Sequence, residues 1–328
     1  MRVPVRVMVI AVAGGVAVGT SIAVTAIATA HTASSSAVSS VAPAVARSAA
    51  RGPRPSPSPA PSATPPVRDT GAPSGVQAKA AVLADASTGT VLWSRNLNTE
   101  LPMGSITKVM TALVVLRAGN LNREIRVPSA VIGYVAKYGA ASAGLHPGDV
   151  LTAQELLEAL LLPSGCDAAY TLAAAYGPGI PAFLAKMNAT ARQLGMLHTH
   201  FTSPDGLPYP TEYSTYSTPA DLLTLATAAM KYPVFRSIVA QSFYQLRKGP
   251  GHHAYWWNND NDLIGTYQGA TGIKTGYTNA ALQCLLFSAS RGGLSLIGVV
   301  LGSPATGPAS AADAAAKALN WGFSLPKT

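Results

Sequence analysis

The order of its hydrophobic patterns constrains this chain more than any other feature. Residues 80–86 read as a buried strand, and 90–95 as its hairpin partner across Ser87-Thr88-Gly89. Far downstream, residues 272–278, 281–290 and 294–301 read as three consecutive strands, followed by an Ala-rich helix over 309–323. Between these groups the periodicity is helical. Residues 105–116 place Ile106, Val109, Met110, Leu113 and Leu116 on an apolar stripe, and 154–162, 167–175, 180–194 and 220–231 read as further helices. The two early strands and the three late ones therefore meet in one antiparallel five-stranded sheet flanked by helices, an α+β fold with an inserted all-helical region. A functional site belongs in the cleft between sheet and insert.

The chain before residue 77 cannot join that core. Arg2 and Arg6 precede an uncharged stretch over residues 7–30 that ends in Ala28-Thr29-Ala30, an A-x-A-like cleavage site. Residues 1–30 are expected to be a signal peptide or a signal anchor, and either places the remainder outside the cytoplasm. Residues 31–76 are rich in Ala, Ser and Pro, including Pro53-Arg54-Pro55-Ser56-Pro57, and are expected to be a disordered linker. The folded domain then spans 77–328. Of the formal charge of +9, about +5 lies before residue 77, where six arginines face the single acid Asp69. A mildly basic domain without interleaved Arg and aromatic runs, and without a Gly-rich phosphate loop, argues against nucleic acid as a partner. It suits an anionic wall or a small anionic substrate. Membrane contact, if any, is expected through the N-terminal segment.

Three short motifs stand in order: Ser105-Ile106-Thr107-Lys108, Ser164-Gly165-Cys166 and Lys274-Thr275-Gly276. Each alone is a weak signal, since a Ser-x-x-Lys pair on a helix is ordinarily a solvated surface pair. Their combination and order are what count. Ser105 and Lys108, three residues apart on a helix, are side-chain neighbours. A serine hydroxyl needs an adjacent base, and lysine can serve if its pKa falls from about 10.4 towards ~7–8. Burial and a second cation, here Lys274, are the means expected to lower it. Ser105 at a helix start would also meet the positive end of the helix dipole and a backbone N–H suited to an oxyanion. Lys274 and Thr275 on a strand offer a cation and a hydroxyl to a substrate carboxylate. Gly276 is expected to let an extended peptide lie against the strand.

This motif set is that of penicillin-binding proteins and class A β-lactamases. The chain resembles more narrowly the low-molecular-mass D-Ala-D-Ala carboxypeptidases and transpeptidases. The resemblance rests on Gly144-Leu145 with Gly148-Asp149, on Leu161-Leu162-Pro163-Ser164-Gly165 and Asp167-Ala168-Ala169, on Thr199-His200-Phe201 with Pro204-Asp205-Gly206-Leu207, and on residues 271–278. It covers residues 77–323. It implies that Ser105 is acylated by a peptidoglycan stem peptide ending in D-Ala-D-Ala, with release of D-Ala. Lys108 would take the proton, Ser164 would relay it to the leaving amine, and Lys274 and Thr275 would hold the terminal carboxylate. The N–H groups of Ser105 and Tyr277 would form the oxyanion hole. β-Lactam antibiotics would acylate Ser105 by the same route, and neither a cofactor nor a metal is implied.

Departures and rivals follow from particular residues. The family's second motif usually ends in Asn, whereas here Cys166 offers a thiol, weak as donor and acceptor. Ser-Gly-Cys is similar to a variant in single-domain members regarded as transpeptidases, so water and an amine both stand as acyl acceptors. Cys166 and Cys284 either form a disulfide or remain free thiols, with Cys284 expected roughly opposite Thr275. His198, His200 and the pair His252-His253 read as loop or surface residues, and Trp256-Trp257 as core or cleft-wall packing rather than a sugar platform. A β-lactamase would need a carboxylate-activated water, for which Asp205, Glu212 and Asp221 are candidates. A wall-binding homologue inactivated by Cys166 is the non-enzymatic rival.

Overall fold

The computed structural model describes residues 71–304 and 310–326. The expected leader and nearly all of the expected linker lie outside the described residues.

Strands β1 (Ala80–Asp85) and β2 (Val91–Arg95) open the fold, and β7 (Ala270–Thr278), β8 (Leu282–Arg291) and β9 (Leu294–Ser303) close its sheet. The spatial order is β2-β1-β9-β8-β7, antiparallel throughout. The first strand thus pairs with the last, Ala81 opposite Val300 and Leu83 opposite Gly298. Alternation within each strand explains why these segments read as continuously apolar, because the sheet is covered on both faces. Val82, Leu286 and Val299 join the core beneath the helical region, while Leu83, Phe287 and Val300 join a second core beneath the terminal helix α8 (Ala311–Ser324). That helix packs closely because it is built from small residues. A side chain at Gly322 would stand 2.7 Å from Leu83 and Leu296. Ser310 starts it by accepting from the Asp313 N–H.

Between β2 and β7 lie helices α1 (Lys108–Ala118), α2 (Ala130–Tyr138), α3 (Ala153–Leu161), α4 (Cys166–Tyr176), α5 (Ile180–Gln193), α6 (Pro219–Ala229) and α7 (Pro233–Ala240). Two small ladders accompany them, β3 (Glu124–Arg126) with β4 (Val150–Thr152) and β5 (Phe243–Leu246) with β6 (Tyr255–Asn258). Helix α1 is the axle of this region and is buried from Lys108 to Leu116. Helix α3 begins with a reciprocal capping box between Thr152 and Glu155.

Two expectations shift. Ser105 lies not in the α-helix but in a 3₁₀ turn over Gly104–Thr107 that leads into α1. The turn follows from Gly104, whose φ of +53° is left-handed and whose missing Cβ would stand 2.7 Å from the Tyr277 backbone N. Cys284 pairs with Gly276 rather than Thr275, because Thr278 pairs with Leu282 and the β7–β8 turn is one residue longer than expected.

Candidate active site

Ser105 is positioned by convergence of three backbones. The chain before it is held by a bridge between Leu101 and Ser217. A Cβ on Gly276 would come 2.3 Å from the Met103 carbonyl oxygen, and one on Gly206 would come 2.0 Å from that of Gly104. These glycines let β7 and the 203–206 loop press against the turn that carries Ser105. Gly276 thus serves contact within the protein, in addition to the open strand edge expected of it.

One turn on, Lys108 is fully buried. Its Nζ lies 2.8 Å from Ser105 Oγ, 3.3 Å from Cys166 Sγ and 3.2 Å from the Asp205 carbonyl oxygen. Three partners match the three directions of an amine nitrogen and fix it against the serine.

Cys166 begins α4, and its thiol is pushed up to about 12 by burial, against the opposing influence of Lys108. A thiol held that firmly protonated is not a nucleophile. It and Cys284 are both free and buried, so the two do not form a disulfide. Ser164 precedes it with φ +61°, a left-handed conformation rare for serine. It is buried, and its hydroxyl has no hydrogen bond among the described residues, leaving it available to a substrate atom.

Lys274 is buried on β7, the sheet's edge strand, and its Nζ lies 3.1 Å from Thr275 Oγ1. Its pKa is pushed down to about 7, first by burial and then by the charge of Lys108. The neighbouring ammonium expected to act on Lys108 is thus itself the group that burial and Lys108 depress.

These groups border a cleft of about 640 Å³ between the sheet and the helical region. Ser105, Ser164, Cys166, Thr275, Gly276 and Tyr277 line it, and Lys108 and Lys274 lie buried behind the lining. Of the expected site residues, Tyr277 is the most exposed, at 56%.

Two supports were not legible as such. The buried Asp167 carboxylate accepts from Ser142 Oγ at 2.7 Å and from the N–H groups of Ala143 and Leu145 at 2.9 Å, pinning the loop that walls the cleft. Asp205 accepts from the Tyr134 hydroxyl at 2.8 Å and from the Leu207 N–H at 3.1 Å, holding the carbonyl that Lys108 meets. Both aspartates stand in quoted motifs, but their partners lie up to 71 residues away.

A profile of the family Peptidase_S11, described as D-alanyl-D-alanine carboxypeptidase, matches residues 67–305. The chain belongs to this family. The D-alanyl-D-alanine carboxypeptidase of Streptomyces sp. strain K15 is 42% identical over 250 residues, covering 73% of this chain and 84% of its own length. DacB2 of Mycobacterium tuberculosis, also a D-alanyl-D-alanine carboxypeptidase, is 40% identical over 251 residues, 76% of this chain and 83% of its own. The crystal structure of the Streptomyces K15 DD-transpeptidase superposes with a TM-score of 0.71 at 38% identity, over 76% of this chain and 98% of that one. The chain is a serine-type hydrolase, and members of its family are extracytoplasmic wall enzymes. Its family implies stem peptide as substrate and β-lactams as ligands.

Within that family assignment, the β-lactamase rival is not favoured, and two of its three candidate carboxylates are engaged elsewhere. Asp205 is tied to Tyr134 and Leu207, and Asp221 accepts from the His198 N–H and Thr199 Oγ1 away from the cleft. Glu212 lines the cleft but accepts from the Ala280 N–H. The histidines stay apart from the lining. His198 pairs with Glu100 at 3.0 Å, and His200 bridges to Tyr216 through its backbone. Trp257 is buried and donates to the Ala143 carbonyl at 2.8 Å, as wall packing requires. Trp256 instead is 53% exposed and stacks on Phe243. Among the described residues, no helix is long and apolar enough to cross a membrane.

Proposed function

We propose that Ser105, Lys108, Ser164, Lys274, Thr275 and Tyr277 carry the family's reaction in this chain. The observation that supports this most is the 2.8 Å contact between Ser105 Oγ and a fully buried Lys108 Nζ at the wall of a cleft. The stem peptide lies along the β7 edge with its terminal carboxylate on Lys274 and Thr275. Lys108 takes the Ser105 proton as Oγ attacks the carbonyl of the penultimate D-Ala. The oxyanion forms beside the backbone of Ser105 and Tyr277, which Gly104 and Gly276 bring together. The C–N bond then breaks, and the proton passes by way of the free Ser164 hydroxyl to the nitrogen of the departing D-Ala. Water resolves the acyl-serine to an acid. An amine of a second peptide resolves it to a new amide, and the Cys166 thiol beside Lys108, weak as donor and acceptor, leaves both outcomes open to the acceptor assay.

In this reading, residues 1–30 export the domain and cleave off or remain as an anchor, and 31–76 tether it. Membrane contact would come from that segment alone.

Mass spectrometry after penicillin treatment tests the assignment. The native protein should gain one penicilloyl adduct and Ser105→Ala none. An unlabelled native protein, or an adduct that survives the substitution, refutes it. D-Ala release from a model peptide, with and without an added amine, then identifies the acceptor.

A further inference from the structure

Outside the cleft, the loop after α2 and the β5–β6 hairpin meet through four polar side chains. Asp149 is buried, and His253 lies against it with Nδ1 3.0 Å from each carboxylate oxygen. The His253 N–H donates to the same carboxylate at 2.9 Å, and so does the Tyr255 hydroxyl, at 2.5 Å. The His146 ring stacks on that of His253, centroids 4.0 Å apart at 22°, and its Nδ1 is 3.3 Å from the Tyr255 oxygen. Among the described residues, no lysine or arginine is ion-paired with Asp149, and its one basic partner is His253.

We infer that His146, Asp149 and His253 form a binding site for a divalent transition metal of the zinc type. One nitrogen or oxygen from each of the three lies within 4.8 Å of the others. Zinc bonds of ~2.0–2.1 Å in tetrahedral geometry set ligand atoms about 3.4 Å apart. The 3.0 Å between His253 Nδ1 and Asp149 is already close to that. His146 must close in by no more than about 1.4 Å and turn out of the stack, which its exposed position permits. Two imidazoles and a carboxylate select zinc, nickel or copper over magnesium or calcium. Tyr255 holds the carboxylate from behind, an outer-shell role. On binding, His253 is the neutral Nε2–H tautomer with Nδ1 on the metal; a hydrogen carried on Nδ1 beforehand moves through solvent to Nε2, or is lost to water where Nε2 already carries one.

The backbone already presents the site. Val150 N–H donates to the Gly251 carbonyl at 2.9 Å, so hairpin and loop are docked without the ion. A metal would staple that docking, and through the 139–145 segment the cleft wall itself.

Isothermal titration of zinc into the metal-stripped protein tests this. One equivalent should bind with micromolar affinity. His146→Ala and His253→Ala should each weaken binding by about tenfold or more. His198→Ala, which removes a histidine paired elsewhere, should leave it unchanged. Zinc should also raise the melting temperature of the native protein but not of His253→Ala, whose melting without zinc reports that it folds. Absence of one-to-one binding below about 0.1 mM zinc overturns the inference. So does binding unaffected by both substitutions, which would leave His253 and Asp149 as an ion pair alone.

Discussion

Replacing Glu158 by glutamine should make the protein less sensitive to alkali. Glu158 lies in α3 at 4% exposure, where its carboxylate accepts from Gln241 Nε2 at the end of α7. No cation is paired with it among the described residues, and burial raises its pKa from 4.5 to about 8. The unfolded chain therefore loses this proton near pH 4.5, while the folded chain holds it until about 8. Between those values the native state binds more protons, so stability falls as pH rises, by up to about 1.4 kcal/mol per unit. The contribution is full below the unfolded value and gone above the folded one. From about pH 5.5 to about pH 8.5 the loss integrates to about 3 kcal/mol. Glutamine is uncharged in both states and keeps a carbonyl acceptor for Gln241. Urea unfolding of native protein and Glu158→Gln across this range should show the gap between them widening by about 3 kcal/mol in favour of the variant. Parallel stability curves, or a gap that moves the other way, would refute burial as the cause.

Four further outcomes follow from the site. For free enzyme and substrate, kcat/KM should fall above about pH 7 as Lys274 loses its charge, and Lys274→Arg should move that limb upward; an unmoved limb assigns it to another group. Both cysteines should resist a thiol reagent in the native state and both should react in denaturant, since burial pushes each thiol up to about 12 and they are unpaired. Gly206→Ala should destabilise by at least about 2 kcal/mol and slow penicillin acylation, because φ is +87° and the added Cβ would meet the Gly104 carbonyl at 2.0 Å. Asp167→Asn turns an acceptor of several buried N–H and O–H groups partly into a donor, and should cost about 3 kcal/mol while raising KM for the peptide.

The sheet was readable from the sequence because β1, β8 and β9 carry unbroken apolar runs and the helices between them a clear 3.6-residue period. That Ser105, Lys108 and Lys274 would gather at one cleft was readable because they stand in short motifs, and the structure places Ser105 on its lining with Lys108 and Lys274 buried behind. What escaped depends on contacts between distant segments. Nothing in Pro204-Asp205-Gly206 announces that Tyr134 will hold the aspartate, nor in Asp167 that its oxygens will gather a loop 22 residues upstream. The β5–β6 ladder is only four residues a side and exposes Phe243 and Trp256, so apolar and polar residues do not alternate cleanly along it, and it escaped notice together with the meeting of His253 with His146. The one-residue register error at Cys284 came from turn length, which apolar periodicity does not encode.

The pairing of β1 with β9 ties completion of the fold to the far end of the chain during synthesis. A polypeptide delivered amino end first presents its opening hairpin long before the partner strand exists. Loop closure over more than two hundred residues is slow and must precede the sheet's completion. The turn bearing Ser105 is buttressed by the late strand β7 through Gly276, so it too waits for the carboxyl-terminal third. The cleft is therefore assembled only once nearly the entire chain has been made.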